Sequence, residues 1–414
     1  LTELIRRHES LRTTFTTQDG EPIQVIAPAT SVVLDEIDLH KLDIKQRRNK
    51  LKLLRKAEAT APFDLLTGPL VRFKLIILGN IRQILLYSMH HIITDGWSSG
   101  ILRRELHILY QAFRAGKASP LAEQTLQYAD FSTWQRDWLQ GDILEKQLDY
   151  WRDELAELEH LELPTDHSRP ANPRYITEKT PVIIPKGIIR KLHLLAREEE
   201  ATLFMVLLAA FQFVLGQNAG QDDVVIGTPI ANRTRAELEN IIGFFVNTMA
   251  MRTNLSGAPT FRQLLQQVRE TCLDGYAHQD IPFERIVEDI APTRDLNTQP
   301  LFQILFVLQN TPDSDALHKK KISADSEQDN VDVLTFYDIT LSLKETKFGV
   351  DGSLHFNIDL FEPESAKRIV RHFRTLLAYI VRNPEIPLSS LSIISKKERL
   401  KLTALAQTKT SDTF

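Results

Sequence analysis

The run from Leu203 to Leu215 is the most demanding stretch of the chain, because Gln212 is its one polar residue. Thr202, just before it, is a residue type that caps helices. A helix that is apolar nearly all round has to be covered on every side. This one is shorter than the ~20 residues needed to cross a bilayer, so its cover must be protein. The chain therefore has to assemble layers around a central helix. With 414 residues it has material for two, or even three, core-forming units at roughly 100–200 residues each.

The elements that could provide those layers alternate along the chain. Leu1 to Arg7 reads as the tail of a helix, and Leu11 to Thr16, Pro22 to Ala27 and Val32 to Leu39 as short strands. Ile44 to Thr60 reads as a moderately amphipathic helix. Leu70 to Leu78 and Ile84 to Met89 are apolar on both faces, the pattern of central strands. Ser98 or Ser99 can cap a helix whose stripe is Leu102, Leu106, Leu109 and Phe113. A further helical stretch is predicted from Tyr128 to Leu158. The proline-rich Leu163 to Pro173 then suggests a linker, dividing the chain into residues 1–167 and 168–395. In the second half, strands are expected near 177–184, 223–227, 245–252, 301–309, 333–343 and 354–359. Helices are expected at 186–198, 202–215, 260–278 and 362–382. The polar stretch 313–330 reads as a surface loop, and 396–414 as a linker toward a following domain. The whole is a mixed α/β (α+β) pattern with a sheet in each half. An opening at Leu1, already inside a helix on this reading, is what a piece of a longer protein would show.

Charge and composition narrow the function. A formal net charge of −4 gives no basic surplus for nucleic acid. No apolar run suits a membrane span, and the single cysteine, Cys272, permits neither a disulfide framework nor a cysteine-rich metal site. Together with the missing signal segment, this points to a cytoplasmic protein. Walker, dinucleotide, Gly-x-Ser-x-Gly and His-Glu-x-x-His signatures are absent.

One cluster carries reactive chemistry: His90-His91-Ile92-Ile93-Thr94-Asp95-Gly96-Trp97-Ser98. It sits where an apolar strand runs out and a helix begins, a usual address for functional side chains. Neighbouring side chains on extended backbone point to opposite faces, so only one histidine can face a given cleft. A neutral imidazole can accept a proton from an amine, hydroxyl or thiol nucleophile, whereas a hydrogen-bonded structural histidine is the plainer reading of either residue. A buried aspartate such as Asp95 requires a cationic or hydrogen-bonding partner. No third ligand accompanies the two histidines, so a metal site is not indicated. The residues alone support a base-assisted transferase or hydrolase that carries no cofactor of its own.

At this cluster the sequence resembles the condensation domains of non-ribosomal peptide synthetases, whose signature is His-His-x-x-x-Asp-Gly. Other motifs of that family follow in order. Arg7-His8-Glu9-Ser10-Leu11-Arg12-Thr13-Thr14-Phe15 and Tyr128-Ala129-Asp130-Phe131-Ser132-Thr133-Trp134-Gln135 are similar to its early and middle motifs. Ile226 to Arg233, continuing through Glu237-Leu238-Glu239 to Gly243-Phe244-Phe245-Val246-Asn247-Thr248, is similar to its longest block. Tyr276 to Glu284 and Pro300-Leu301-Phe302-Gln303 complete the set. The resemblance implies two chloramphenicol-acetyltransferase-like lobes in a V-shaped pseudo-dimer, with a tunnel between them reaching the double histidine. It implies donor and acceptor carrier proteins as partners, each presenting a thioester on a phosphopantetheine arm, and a neighbouring adenylation domain in the same synthetase. The acceptor amine would attack the donor thioester to give an amide. On this reading His91 contacts the amine as base or orienting group, His90 holds the loop, and Gly96 leaves room for a substrate arm. Asp95 is architectural with Arg233 as its ion-pair partner. The wording of the motifs leans toward the subtype that takes an L-configured donor. An epimerisation domain of the same superfamily and a non-catalytic carrier-docking domain are the alternatives.

Overall fold

In the computed structural model, residues 1–290, 299–309, 333–334, 336–391 and 393–394 are described. They form two compact units that do not simply follow chain order. The first takes Leu1–Ile143 and then recovers Ala231–Val246; the second begins at Leu144–Ile230 and resumes at Asn247. The 167/168 division expected from the prolines falls in coil. The stretches 313–330 and 396–414 lie outside the described residues.

The first unit runs α1 (Thr2–Arg7), β1 (Thr13–Gln18), β2 (Glu21–Ile26), β3 (Asp35–Asp38), α2 (Ile44–Thr60), β4 (Val71–Gly79), β5 (Arg82–Met89), α3 (Gly96–Arg114) and α4 (Tyr128–Trp138). Strands β1 and β2 make a hairpin, and β3, β4 and β5 a three-stranded sheet. Helix α2 connects the parallel pair β3 and β4, as a parallel crossover requires. Asp43 caps α2 by accepting the Gln46 N–H at 2.8 Å. Strand β4 has both faces covered: Val71 and Phe73 join one cluster with α1 and α3, while Ile76 and Leu78 join another with Leu51 and Leu54 of α2. Strand β5 was expected to be central like β4. Among the described residues it pairs with β4 alone and is only partly covered, so its apolar side chains serve an edge strand.

The early motif is buried structure. Glu105 of α3 accepts from Arg7 Nε at 3.2 Å and lies 2.8 Å from His8 Nε2, with all three side chains almost fully buried. Gln127 Nε2 donates to the Arg7 carbonyl at 2.8 Å, tying the entrance of α4 to this triad. The predicted helix from Tyr128 to Leu158 is in fact two, because the chain leaves α4 at Leu139 and turns at Gly141 with φ +53° before α5 (Gly141–Glu154). A positive φ costs a glycine little, which makes it the natural break point.

The second unit continues with β6 (Ile176–Pro185), α6 (Lys186–Glu198), α7 (Leu203–Ala219), β7 (Asp223–Ile230), β8 (Asn247–Asn254), α8 (Phe261–Ala277), α9 (Phe283–Ile290), β9 (Ile304–Gln309), β10 (Val333–Leu334), β11 (Ile339–Thr346), β12 (Gly349–Asn357) and α10 (Pro363–Ile380). Its sheet has seven strands in the order β10-β6-β12-β11-β9-β7-β8. The strand expected over 333–343 is divided: β10 borders β6, whereas β11 lies between β12 and β9. Asp338, in the bend between them, is held by both guanidinium nitrogens of Arg169.

Helix α7 meets α6, α8, α10 and β7, which accounts for its apolar circumference. Thr202 caps it by accepting the Met205 N–H. Gln212 is fully buried, and its amide donates to the Met251 carbonyl at 2.9 Å. Among the described residues no single helix is long and apolar enough to cross a membrane.

Candidate active site

The double histidine marks a change of backbone geometry. Strand β5 ends at Met89, the His90 N–H donates to the Leu70 carbonyl at 2.9 Å, and His91 to Ile93 form one turn of 3₁₀ helix. His90 opens that turn: its Nδ1 accepts the Ile92 N–H at 3.1 Å, and its ring meets Phe63 edge-on with centroids 5.8 Å apart. Burial, followed by the proximity of His91, holds the His90 pKa below the ordinary histidine value. The neutral ring carries its proton on Nε2, because Nδ1 is already accepting.

His91 differs in exposure and in hydrogen bonding. Its side chain is exposed, and among the described residues neither ring nitrogen has a protein hydrogen-bond partner. Its ring meets Phe244 edge-on, at 5.0 Å between centroids. The two imidazoles meet different phenylalanines, and His91 already lies in the 3₁₀ turn that His90 caps, so strand alternation does not describe the pair.

Asp95 is the hub of what lies beneath. Ser98 or Ser99 was expected to cap α3; the cap is Asp95, whose Oδ1 accepts the Ser98 N–H at 2.7 Å. A carboxylate reaches that N–H from the N-cap position, while Ser98 lies too far inside the helix and is fully buried. Asp95 Oδ2 also accepts the Phe245 N–H at 3.1 Å, so one side chain fastens α3 to the 231–246 segment. Ser98 Oγ completes the joint, donating to the Gly243 carbonyl at 2.8 Å and accepting the Gly243 N–H at 3.1 Å.

Arg233 closes the network. Its Nη2 lies 3.4 Å from both Asp95 oxygens and 2.8 Å from Ser98 Oγ, and Nη1 donates to the carbonyls of Leu238 and Ile241. The Asp95–Arg233 pair implied by the family resemblance is present, although the shorter bonds of Arg233 go to carbonyls and to Ser98. Both side chains are almost fully buried, and the guanidinium lies over the Phe245 ring at 4.0 Å. Burial lowers the Arg233 pKa from its ordinary value, with Asp95 opposing that trend.

Gly96 is exposed, and a Cβ built on it would find no protein atom within 4 Å. Nothing in the packing of the described residues calls for glycine there. Gly243, by contrast, is demanded by packing, since a Cβ would fall 2.2 Å from the Tyr128 ring. Ser98, Phe244, Phe245 and Tyr128 were not singled out from the sequence as site residues. The signal was the Gly-Phe-Phe block itself, which brings Phe244 to His91 and the Phe245 N–H to Asp95.

The family model described as "Condensation domain" matches residues 1–403. The chain belongs to the condensation-domain family. That is a family of transferases that form amide bonds. The chain is 46% identical over 403 residues to one of the proteins of the linear gramicidin synthase of Brevibacillus parabrevis, covering 97% of this chain but 5% of that protein. The X-domain in its complex with OxyB from teicoplanin biosynthesis matches with a TM-score of 0.83 at 26% identity, over 95% of this chain and 86% of that one. A four-domain nonribosomal peptide synthetase bound to AMP and glycine matches with a TM-score of 0.81 at 25% identity, over 95% and 30% of the two chains. The mixed α/β architecture is therefore that of condensation domains, the chloramphenicol-acetyltransferase-like fold expected above.

Proposed function

We propose that this condensation domain joins two carrier-bound substrates. The α-amine of an acceptor aminoacyl thioester attacks the carbonyl carbon of a donor acyl or peptidyl thioester. A C–N bond forms, the donor C–S bond breaks, and the donor carrier's thiol leaves with a proton. Both thioesters ride on phosphopantetheine arms, which belong to the carrier proteins and enter as substrate. The small share of the gramicidin synthase protein that the chain spans, and the four-domain synthetase among its structural relatives, favour a setting with carrier and adenylation domains. In that setting residues 1–167 and 168–395 act as two lobes, 396–414 lead onward, and the reaction is cytoplasmic.

The observation that carries this reading is the state of His91: exposed, rigidly based, and with both ring nitrogens free of protein partners among the described residues. An α-amino group has a pKa near 8, so a fraction is already neutral at pH 7. His91 then orients the amine or takes its proton as the tetrahedral adduct collapses; positioned proton transfer contributes roughly 10²–10⁴ in rate. Asp95 and Arg233 hold the turn and touch no substrate. Gly96 leaves open space for an arm.

Reconstitution with two loaded carriers, followed by mass spectrometry of the acceptor thioester, tests the reading. Product is expected with the native chain, faster from an L- than from a D-configured donor. Binding of carriers without any amide product would refute it in favour of a docking domain, as would α-proton exchange in favour of an epimerase.

A further inference from the structure

An exposed imidazole changes rotamer readily, whereas a group that meets a reacting amine has to be held in one orientation. In many acid–base sites a carboxylate or carbonyl does this by accepting from the second ring nitrogen. His91 has no such partner among the described residues. What its ring does meet is Phe244, edge-on, with centroids 5.0 Å apart and planes at 86°.

Phe244 lies outside any helix or strand, yet the backbone around it is firmly tied. Ser98 Oγ accepts the Gly243 N–H and donates to the Gly243 carbonyl. The Tyr128 hydroxyl donates to the Phe244 carbonyl at 2.8 Å, and Asp95 accepts the Phe245 N–H at 3.1 Å. Three successive residues are thus pinned by side chains of α3, its cap and α4. Of the two rings they carry, that of Phe245 is buried, and that of Phe244 is half-buried and turned to His91. Asp95 also caps α3 directly after the turn that starts at His91. One carboxylate therefore fixes both the segment that carries His91 and the segment that carries Phe244, and the ring contact closes the circuit.

We propose that Phe244 is the positioning residue of His91: its ring restricts the imidazole to the orientation that meets the acceptor amine. This rests on the reading that His91 meets that amine. An edge-to-face ring pair favours one arrangement over the alternatives by about 2–10-fold, which sets the size of the effect.

Single-turnover amide formation with two loaded carriers, together with nuclear magnetic resonance of the His91 ring, tests this. Phe244→Leu keeps an apolar side chain and removes the ring. It should lower the saturated rate about 2–10-fold and leave the half-saturating acceptor concentration unchanged. Phe244→Tyr keeps the ring and should keep the native rate. In a His91→Ala background Phe244→Leu should have no further effect, because it acts through the imidazole. A mere loss of folding would instead slow both backgrounds alike. The carbon-bound ring protons of His91, identified by their loss in His91→Ala, should move toward free-histidine positions in Phe244→Leu and stay in place in Phe244→Tyr. The proposal falls if Phe244→Leu reacts at the native rate, if it slows His91→Ala as much as the native chain, or if the ring protons do not move. Should His91→Ala itself react at the native rate, the reading of His91 fails, and the ring protons still decide whether Phe244 holds the imidazole.

Discussion

At the scale of single residues, the two adjacent histidines are separated by what each ring already holds. His90 is engaged through Nδ1 and packed on Phe63; among the described residues His91 offers both nitrogens. His91→Ala should therefore lower the single-turnover rate of amide formation by about 10²–10⁴ while leaving the unfolding midpoint unchanged. Asp95→Ala should act through the fold. It strands the buried Arg233 and frees the Ser98 and Phe245 N–H groups, a loss of about 3–5 kcal/mol measurable by urea unfolding. Asp95→Asn keeps an oxygen for the Ser98 N–H and should recover about 1 kcal/mol of that. Equal unfolding free energies for the native chain and Asp95→Ala would remove Asp95 from its architectural role.

At the scale of elements, two glycines are required for different reasons. Gly141 divides α4 from α5 through its positive φ, with open space around it. Gly141→Ala should cost about 1–2 kcal/mol from backbone strain alone, read from the shift in the urea midpoint. Gly243 has no such φ, but its face lies against the Tyr128 ring, so Gly243→Ala must displace the 231–246 segment from α4. Its expected signature is a loss of both stability and amide formation, because the same segment carries Phe244 to His91 and the Phe245 N–H to Asp95. Most elements lie within a few residues of where hydrophobic pattern puts them, and the exceptions are informative. Pattern alone gives one long helix where Gly141 makes two, and a central strand where β5 is an edge. Hydrophobic pattern reports that a face is covered, but it does not report what covers it.

Across the whole molecule, stability should fall in acid, and two buried carboxylates illustrate why. Glu58 is pushed up by burial, yet Arg72 and Lys74 together bring it below the ordinary carboxylate range. Glu105 is likewise pushed up by burial and brought down further by His8 and Arg7. A folded-state pKa below the unfolded value of about 4.3 gives stability that is complete above roughly pH 5 and lost as pH falls through the folded value. Glu105→Gln should thus unfold more readily at pH 7 and show a shallower decline between about pH 5 and 3, followed by circular dichroism. From residue identities alone came the mixed α/β class, the covered helix 203–215, and the family through its ordered motifs. The double histidine was legible there too, whereas the Asp95–Arg233 partnership was implied only by the family resemblance, since no local pattern links residues 138 positions apart. Only the tertiary structure decided that Asp95 caps α3, that Ser98 and Phe245 share its load, and that among the described residues His90 is engaged through its ring while His91 is not. Those relations join residues up to 150 positions apart. Packing brings them together, and no periodicity within one segment records it.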